Sequence, residues 1–167
     1  HQHTLTDVSD KWHQRELELH ELVTIFETWQ NEYTGIEAIV MNNHDQPRLL
    51  SKWFDDIDNY ELQAKLLITV FGMLRGNLYL YQGEEIGMAS SYREDISFYQ
   101  DVETLNYYES HKKDPSVMKR IHVISRDNAR VPMQWKASDN AGFTQVKPWI
   151  AVNESSKFIN VEEQEQR

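Results

Sequence analysis

Cysteine is absent from the 167 residues, which excludes disulfide bonds and thiolate metal sites and fits a reducing cytoplasm, the expected location. Basic residues are scarce beside acidic ones: 17 Lys and Arg stand against 27 Asp and Glu, a formal net charge of −10. Such a surface repels phosphodiester backbones and anionic lipid, so neither nucleic acid nor membrane is an expected partner, while an uncharged ligand is indifferent to it. No apolar run approaches the roughly 20 residues of a membrane helix, and no signal-peptide pattern opens the chain. Internal repeats and low-complexity tracts are missing too. The seven histidines fall into no spacing of the His-Glu-x-x-His kind. No metal and no other cofactor is expected.

What is present suffices for one domain with a core of its own. His1 to Asp7 carries a weak strand pattern. From Glu16 to Gln30 apolar residues recur at Leu19, Leu22, Val23, Phe26 and Trp29, a helical stripe that Thr34-Gly35 ends. Ile36 to Met41 is short, mostly apolar and β-branched, as a buried strand is. A second helix is expected from about Asn59 to Arg75, with Leu62, Leu66, Leu67, Val70, Phe71 and Leu74 turned inward and Gly76 just past its end; Leu78 to Tyr81 follows as a strand. Strand, helix, strand, helix, strand describes consecutive parallel crossovers. Beyond Gly87 the texture changes: Glu94 to Arg120 is charged and aromatic with little core patterning, and Ser125 to Asn160 is rich in Asn, Asp, Pro and isolated Trp. This predicts an α/β segment over residues 1–90 and an irregular subdomain over 91–167.

The segment Asn42-Asn43-His44-Asp45-Gln46-Pro47-Arg48 places a His-Asp pair where the buried strand meets a loop, the position at which barrel enzymes keep their chemistry. Two further segments stand out, Tyr81-Gln82-Gly83-Glu84-Glu85-Ile86-Gly87 and Ser125-Arg126-Asp127-Asn128-Ala129-Arg130-Val131-Pro132-Met133-Gln134-Trp135. Judged by composition alone, a His-Asp pair after a strand caps its loop, since Asp bonds readily to backbone amides. An Arg in a charged loop is, on the same footing, a solvated ion pair.

In this order the three motifs resemble the α-amylase family of glycoside hydrolases, in the branch of oligo-1,6-glucosidases, dextran glucosidases and trehalose-6-phosphate hydrolases. The resemblance implies the C-terminal portion of a (β/α)8 TIM barrel, about strands six to eight, with the subdomain inserted after strand eight covering the active-site mouth. A complete barrel takes roughly 250 residues, and the chain begins at His1 rather than Met. A fragment of a larger enzyme is therefore the expectation. Retaining glycosidases need a carboxylate nucleophile and a carboxylic acid roughly 5 Å apart, and no segment of this chain matches the family's motif for either. Asp45 matches the third carboxylate, which orients sugar hydroxyls and stabilises the positive charge developing at the anomeric carbon.

His44 would bond the same sugar ring, and Gln46 the leaving-group sugar. Arg130, second Arg of its motif, would bind the terminal hydroxyls of the non-reducing glucose and close the pocket. Lys11 and Glu103 match positions lining the leaving-group side. Arg48 is able to hold a carboxylate bidentately and is read as substrate-facing or structural in equal measure. Arg126 pairs either with the site or within the subdomain. Glu84 and Glu85 support the loop and are neither acid nor nucleophile. Departures from the usual pattern fall at Gly76-Asn77-Leu78, Phe54 and Lys136, none of them in the His-Asp motif.

The implied activity is hydrolysis of α-1,6-glucosidic bonds in isomalto-oligosaccharides or dextran from the non-reducing end. The alternatives are a trehalose-6-phosphate hydrolase, because the Asn43 and Ala129 positions separate the two only weakly, and a truncated chain without catalysis. Strands cut from a closed barrel leave open edges and apolar helix faces, so the chain is expected to self-associate as a dimer or larger.

Overall fold

The computed structural model describes residues 6–7, 10–14, 16–54 and 57–166. Strand β1 (Thr6–Asp7) pairs antiparallel with β2 (Asp10–Gln14). Helix α1 (Leu19–Glu32) leads to β3 (Ala38–Val40), and a loop containing the His-Asp pair leads from β3 into the short α2 (Leu49–Trp53). Helix α3 (Tyr60–Gly72) then crosses back to β4 (Asn77–Tyr79), which pairs parallel to β3 in the register Ala38 with Asn77, Ile39 with Leu78 and Val40 with Tyr79. Most of the segment expected to supply an earlier strand, His1 to Asp7, lies outside the described residues. Lys11 and Trp12 sit on β2, a strand that periodicity did not suggest.

Gly76 does not cap α3, which ends at Gly72 with Met73 beyond it. It serves the next strand instead. Its φ of +154° and a Cβ position only 2.8 Å from Glu37 O leave room for glycine alone, and this close approach lets Asn77 N donate to Glu37 O at 2.7 Å, starting the parallel pair.

The first core gathers Ile39 and Met41 from β3 and its end, Leu49 and Leu50 from α2, and Leu67 and Phe71 from α3. Phe26 of α1 meets Phe71 edge-on at 5.6 Å between centroids. The inward stripe expected on α3 is narrower than drawn: Leu67 and Phe71 are buried, but Leu62, Leu66 and Val70 are 68%, 53% and 38% exposed. Residues 67 and 71 lie one turn apart and face the sheet and α2, whereas 62, 66 and 70 sit on the adjoining face, where the described residues offer no cover. Helix α1 likewise buries no residue, and Leu19, Val23 and Trp29 stay open.

The region beyond Gly87 has more order than its composition suggests. Helices α4 (Val102–His111) and α5 (Val117–Ile124) enclose a second core of Tyr107, Val117, Ile121 and Ile124, completed by Trp12 of β2. The Trp12 and Tyr107 rings stack 4.0 Å apart at 9°. Both helices are short, so their buried positions are too few to register as a stripe; Val117, Ile121 and Ile124 are nevertheless spaced i, i+4, i+7. A third core joins Ile86 and Met88 after β4 to Val131, Ile150 and Ile159. Around it polar side chains replace regular ladders: fully buried Asn160 donates to Ser156 O at 2.9 Å and accepts from Glu163 N, capping the last helix, α6 (Val161–Glu165).

Candidate active site

The loop from Asn42 to Leu49 is closed at its base by Asn42, whose Oδ1 accepts from Leu49 N and whose Nδ2 donates to Glu84 Oε1. Asp45 N donates to Asn43 Oδ1 at 2.8 Å, an Asx turn that sets the His-Asp pair at its tip. His44 Nε2 stands 3.3 Å from Asp45 Oδ2, and the two side chains are 69% and 51% exposed, open enough to meet a ligand.

Opposite this tip lies the turn Arg126–Asn128, a single 3-10 turn between α5 and Arg130. Arg126 Nη1 and Arg130 Nη2 lie 3.3 and 3.2 Å from the same atom, Asp45 Oδ1, and Arg130 Nε donates to His44 O at 2.6 Å. The turn is anchored from below: Asp127 Oδ2 accepts from Gln100 N at 2.6 Å and Asp101 N at 2.7 Å, locking it to the start of α4. Asp101 caps that helix, accepting from Thr104 N and Oγ1, and its Oδ1 accepts from Arg126 Nη2 at 2.5 Å. Burial works against this carboxylate, yet Arg126 and Thr104 together hold its pKa below the usual range, and the same pairing with Asp101 raises that of Arg126. Glu103 in the first turn of α4 reaches Arg126 at 3.5 Å and pairs with Lys11 of β2. Lys11, Asp45, Asp101, Glu103, Arg126 and Arg130 thus form one connected charge network across four segments of the chain.

Of the residues singled out in the sequence, Lys11, His44, Asp45, Glu103 and Arg130 therefore meet. Gln46 does not join them; it lines an apolar cleft between α1 and β3 with Leu22, Phe26, Pro47 and Trp53. Arg48 departs from a substrate-facing reading altogether. It is 0% exposed, its Nη2 donates to Gln82 O at 3.0 Å and Ala129 O at 3.1 Å, and its guanidinium lies over the Tyr81 ring. The rigid Pro47 and the start of α2 turn the side chain under the loop, where burial pushes its pKa down to about 10 against the opposing pull of Tyr81, Glu84 and Glu85. Glu84 is half-buried, and the desolvation raises its pKa, while it spends its oxygens on Tyr81 N and Asn42. Arg126 pairs both with Asp45 at the loop tip and with Asp101 at the start of α4. Asp101 and Asp127 went unnoticed because their partners lie far off in sequence; the one local signal was the Asp101-x-x-Thr104 spacing of a helix cap. Among the described residues no three His, Asp or Glu side chains are placed to hold a metal ion, and no helix is long and apolar enough to cross a membrane.

Comparison with known proteins adds the family. Residues 1–167 match the α-amylase catalytic-domain model. The glucan 1,6-α-glucosidase of Streptococcus pneumoniae is 44% identical over 161 residues, which are 92% of this chain and 30% of that protein. The oligo-1,6-glucosidase of Parageobacillus thermoglucosidasius is 46% identical over 158 residues, 90% of this chain and 28% of that protein. The crystal structure of trehalose-6-phosphate hydrolase from Bacillus licheniformis superposes with a TM-score of 0.93 at 38% identity, over 99% of this chain and 31% of that one. The chain thus spans about a third or less of the length of each of these relatives. A match over every residue, together with superposition on a solved glycoside hydrolase, places the chain in the catalytic domain of the α-amylase family of glycoside hydrolases.

Proposed function

We propose that the chain is the C-terminal part of the barrel of a retaining α-glucosidase, which removes glucose from the non-reducing ends of α-1,6-linked isomalto-oligosaccharides or dextran. The observation that carries this reading is the meeting of Asp45, His44 and Arg130 at one exposed point. Asp45 serves there as the third carboxylate: it orients ring hydroxyls and, as the glycosidic bond breaks, faces positive charge growing at the anomeric carbon. His44 donates to the same ring. Arg130, freed from Asp45 as the sugar enters, binds the terminal hydroxyls and restricts the enzyme to chain ends. Glu103 and Lys11 meet the leaving sugar, with residues 91–167 covering the mouth. Nucleophile and general acid come from segments this chain does not contain, the protein works in the cytoplasm, and no cofactor takes part.

Charge favours a neutral leaving sugar over a phosphorylated one. Lys11 pairs with Glu103, Arg126 with Asp101, and Arg130 with Asp45. Adding Asp127, 3.8 Å from Arg130, leaves four carboxylates facing three cations. A dianionic phosphate would have to break one of these pairs and enter a cluster already negative. This observation ranks the trehalose-6-phosphate reading second.

The test is Asp45→Ala in the full-length protein that carries this chain, assayed on isomaltose. A fall in kcat of about a hundredfold or more with a much smaller change in KM is expected, because the lost interaction strengthens in the transition state. A variant within a few-fold of the parent would remove Asp45 from catalysis and end this reading, and faster turnover of trehalose 6-phosphate than of isomaltose by the parent would reverse the ranking.

A further inference from the structure

Arg48 and Arg130 are joined in a closed circuit. Arg48 lies four residues after His44, and its Nη2 donates to the carbonyl of Ala129. Arg130 follows Ala129, and its Nε donates back to the carbonyl of His44. Each guanidinium grips the main chain of the other's loop. The two ends differ in their surroundings: Arg130 is 22% exposed on the side where Asp45 opens to solvent, while Arg48 is wholly buried. Arg48 is also held at its own backbone, where its N–H donates to Ser90 Oγ at 3.0 Å, and its second carbonyl partner, Gln82, belongs to the segment after β4.

This burial is a poor device for stability alone. Among the described residues Nε and Nη1 of Arg48 find no hydrogen-bond acceptor, and a desolvated, incompletely bonded cation carries a penalty that an apolar side chain of similar volume would not. What an apolar side chain cannot do is reach two carbonyls on different loops at once. A lysine cannot either, because its single ammonium sits nearer the main chain than Nη2 and lacks the planar fork.

We propose that Arg48 is a positioning residue of this site, one that sets the separation of the Asp45 carboxylate and the Arg130 guanidinium by gripping Gln82 O and Ala129 O beneath them. The inference rests on the roles given above to Asp45 and Arg130. Arg48 touches no substrate; it acts through Arg130 and the loop that bears Asp45. A shift of about 1 Å between such groups is worth about a hundredfold in rate.

The experiment is a double-mutant cycle in the full-length protein with isomaltose, using Arg48→Lys, Arg130→Ala and the pair, with Asp45→Ala alongside. Arg48→Lys is expected to lower kcat/KM about a hundredfold. In the Arg130→Ala background the same change should lose most of its effect on KM, since the group it positions is gone. Effects that simply multiply, or Arg48→Lys within twofold of the parent while Asp45→Ala is inactive, would overturn the positioning role and leave the glucosidase reading standing. Retained activity in Asp45→Ala would instead strike the glucosidase reading. An activity-independent measurement on this chain is the NMR signal of the Arg130 Nε–H bonded to His44 O: Arg48→Lys should move or broaden it, and an unchanged signal refutes the clasp. Should Arg48→Lys fail to fold, Ser90→Ala, which frees the Arg48 backbone, is read in the same two ways.

Discussion

Replacing Asp101 with asparagine removes one charge and leaves the cap of α4 in place, which isolates the ion pair on which the Arg126 turn rests. The asparagine oxygen still accepts from Thr104 N and Oγ1, and Asn caps helices as well as Asp. What is lost is the charge-assisted bond from Arg126 Nη2 at 2.5 Å. Hydrogen bonds to charged groups are worth about 1.5–3 kcal/mol. Arg126 is 29% exposed and keeps Glu103 and Asp45 within reach, which favours the low end, about 1.5–2 kcal/mol. For a chain of this size that lowers Tm by about 3–8 °C.

The pH dependence follows from the direction of the shift. The folded Asp101 carboxyl titrates below its unfolded value, so its contribution is fully present above the unfolded pKa of about 4 and disappears as pH falls through the lower folded value. Urea unfolding of parent and Asp101→Asn at pH 7 and at pH 3 or below is the assay. The gap in stability should be present at pH 7 and shrink in acid. A variant within about 0.5 kcal/mol of the parent at pH 7, or a gap that persists unchanged in acid, would show that the pair does not hold the turn. Asp101→Ala should cost about 1 kcal/mol more, because the cap goes too.

Two further outcomes are expected. Arg130→Ala in the full-length protein should raise KM for isomaltose more than it lowers kcat and should relax the preference for chain ends; unchanged kinetics would return Arg130 to a purely structural ion pair. The exposed apolar residues of α1 and α3, Leu19, Leu62 and Leu66 among them, predict self-association of the chain in isolation, so sedimentation equilibrium should report a dimer or larger, and a folded monomer at the highest concentrations would refute it.

What sequence alone determined was local and chemical. The His44-Asp45 motif, the Arg126 to Arg130 turn and the glycine-bounded Glu84-Glu85 segment are each contiguous, so their residue types and spacing were legible, and in that order they pointed to the family. The apolar runs around Ile39 and Phe71 were legible only at their centres: Ile39, Met41, Leu67 and Phe71 are buried, whereas Ile36, Val40, Leu62, Leu66 and Val70 stay exposed. Tertiary structure alone decided which of these groups meet. Asp45 lies 81 residues from Arg126 and 85 from Arg130, and no periodicity links positions so far apart. It also decided which way Arg48 points: the motif shows a guanidinium beside the His44-Asp45 loop, but only the packing of Pro47, Ser90 and Ala129 around it turns that group inward beneath the loop, onto the carbonyls of Gln82 and Ala129.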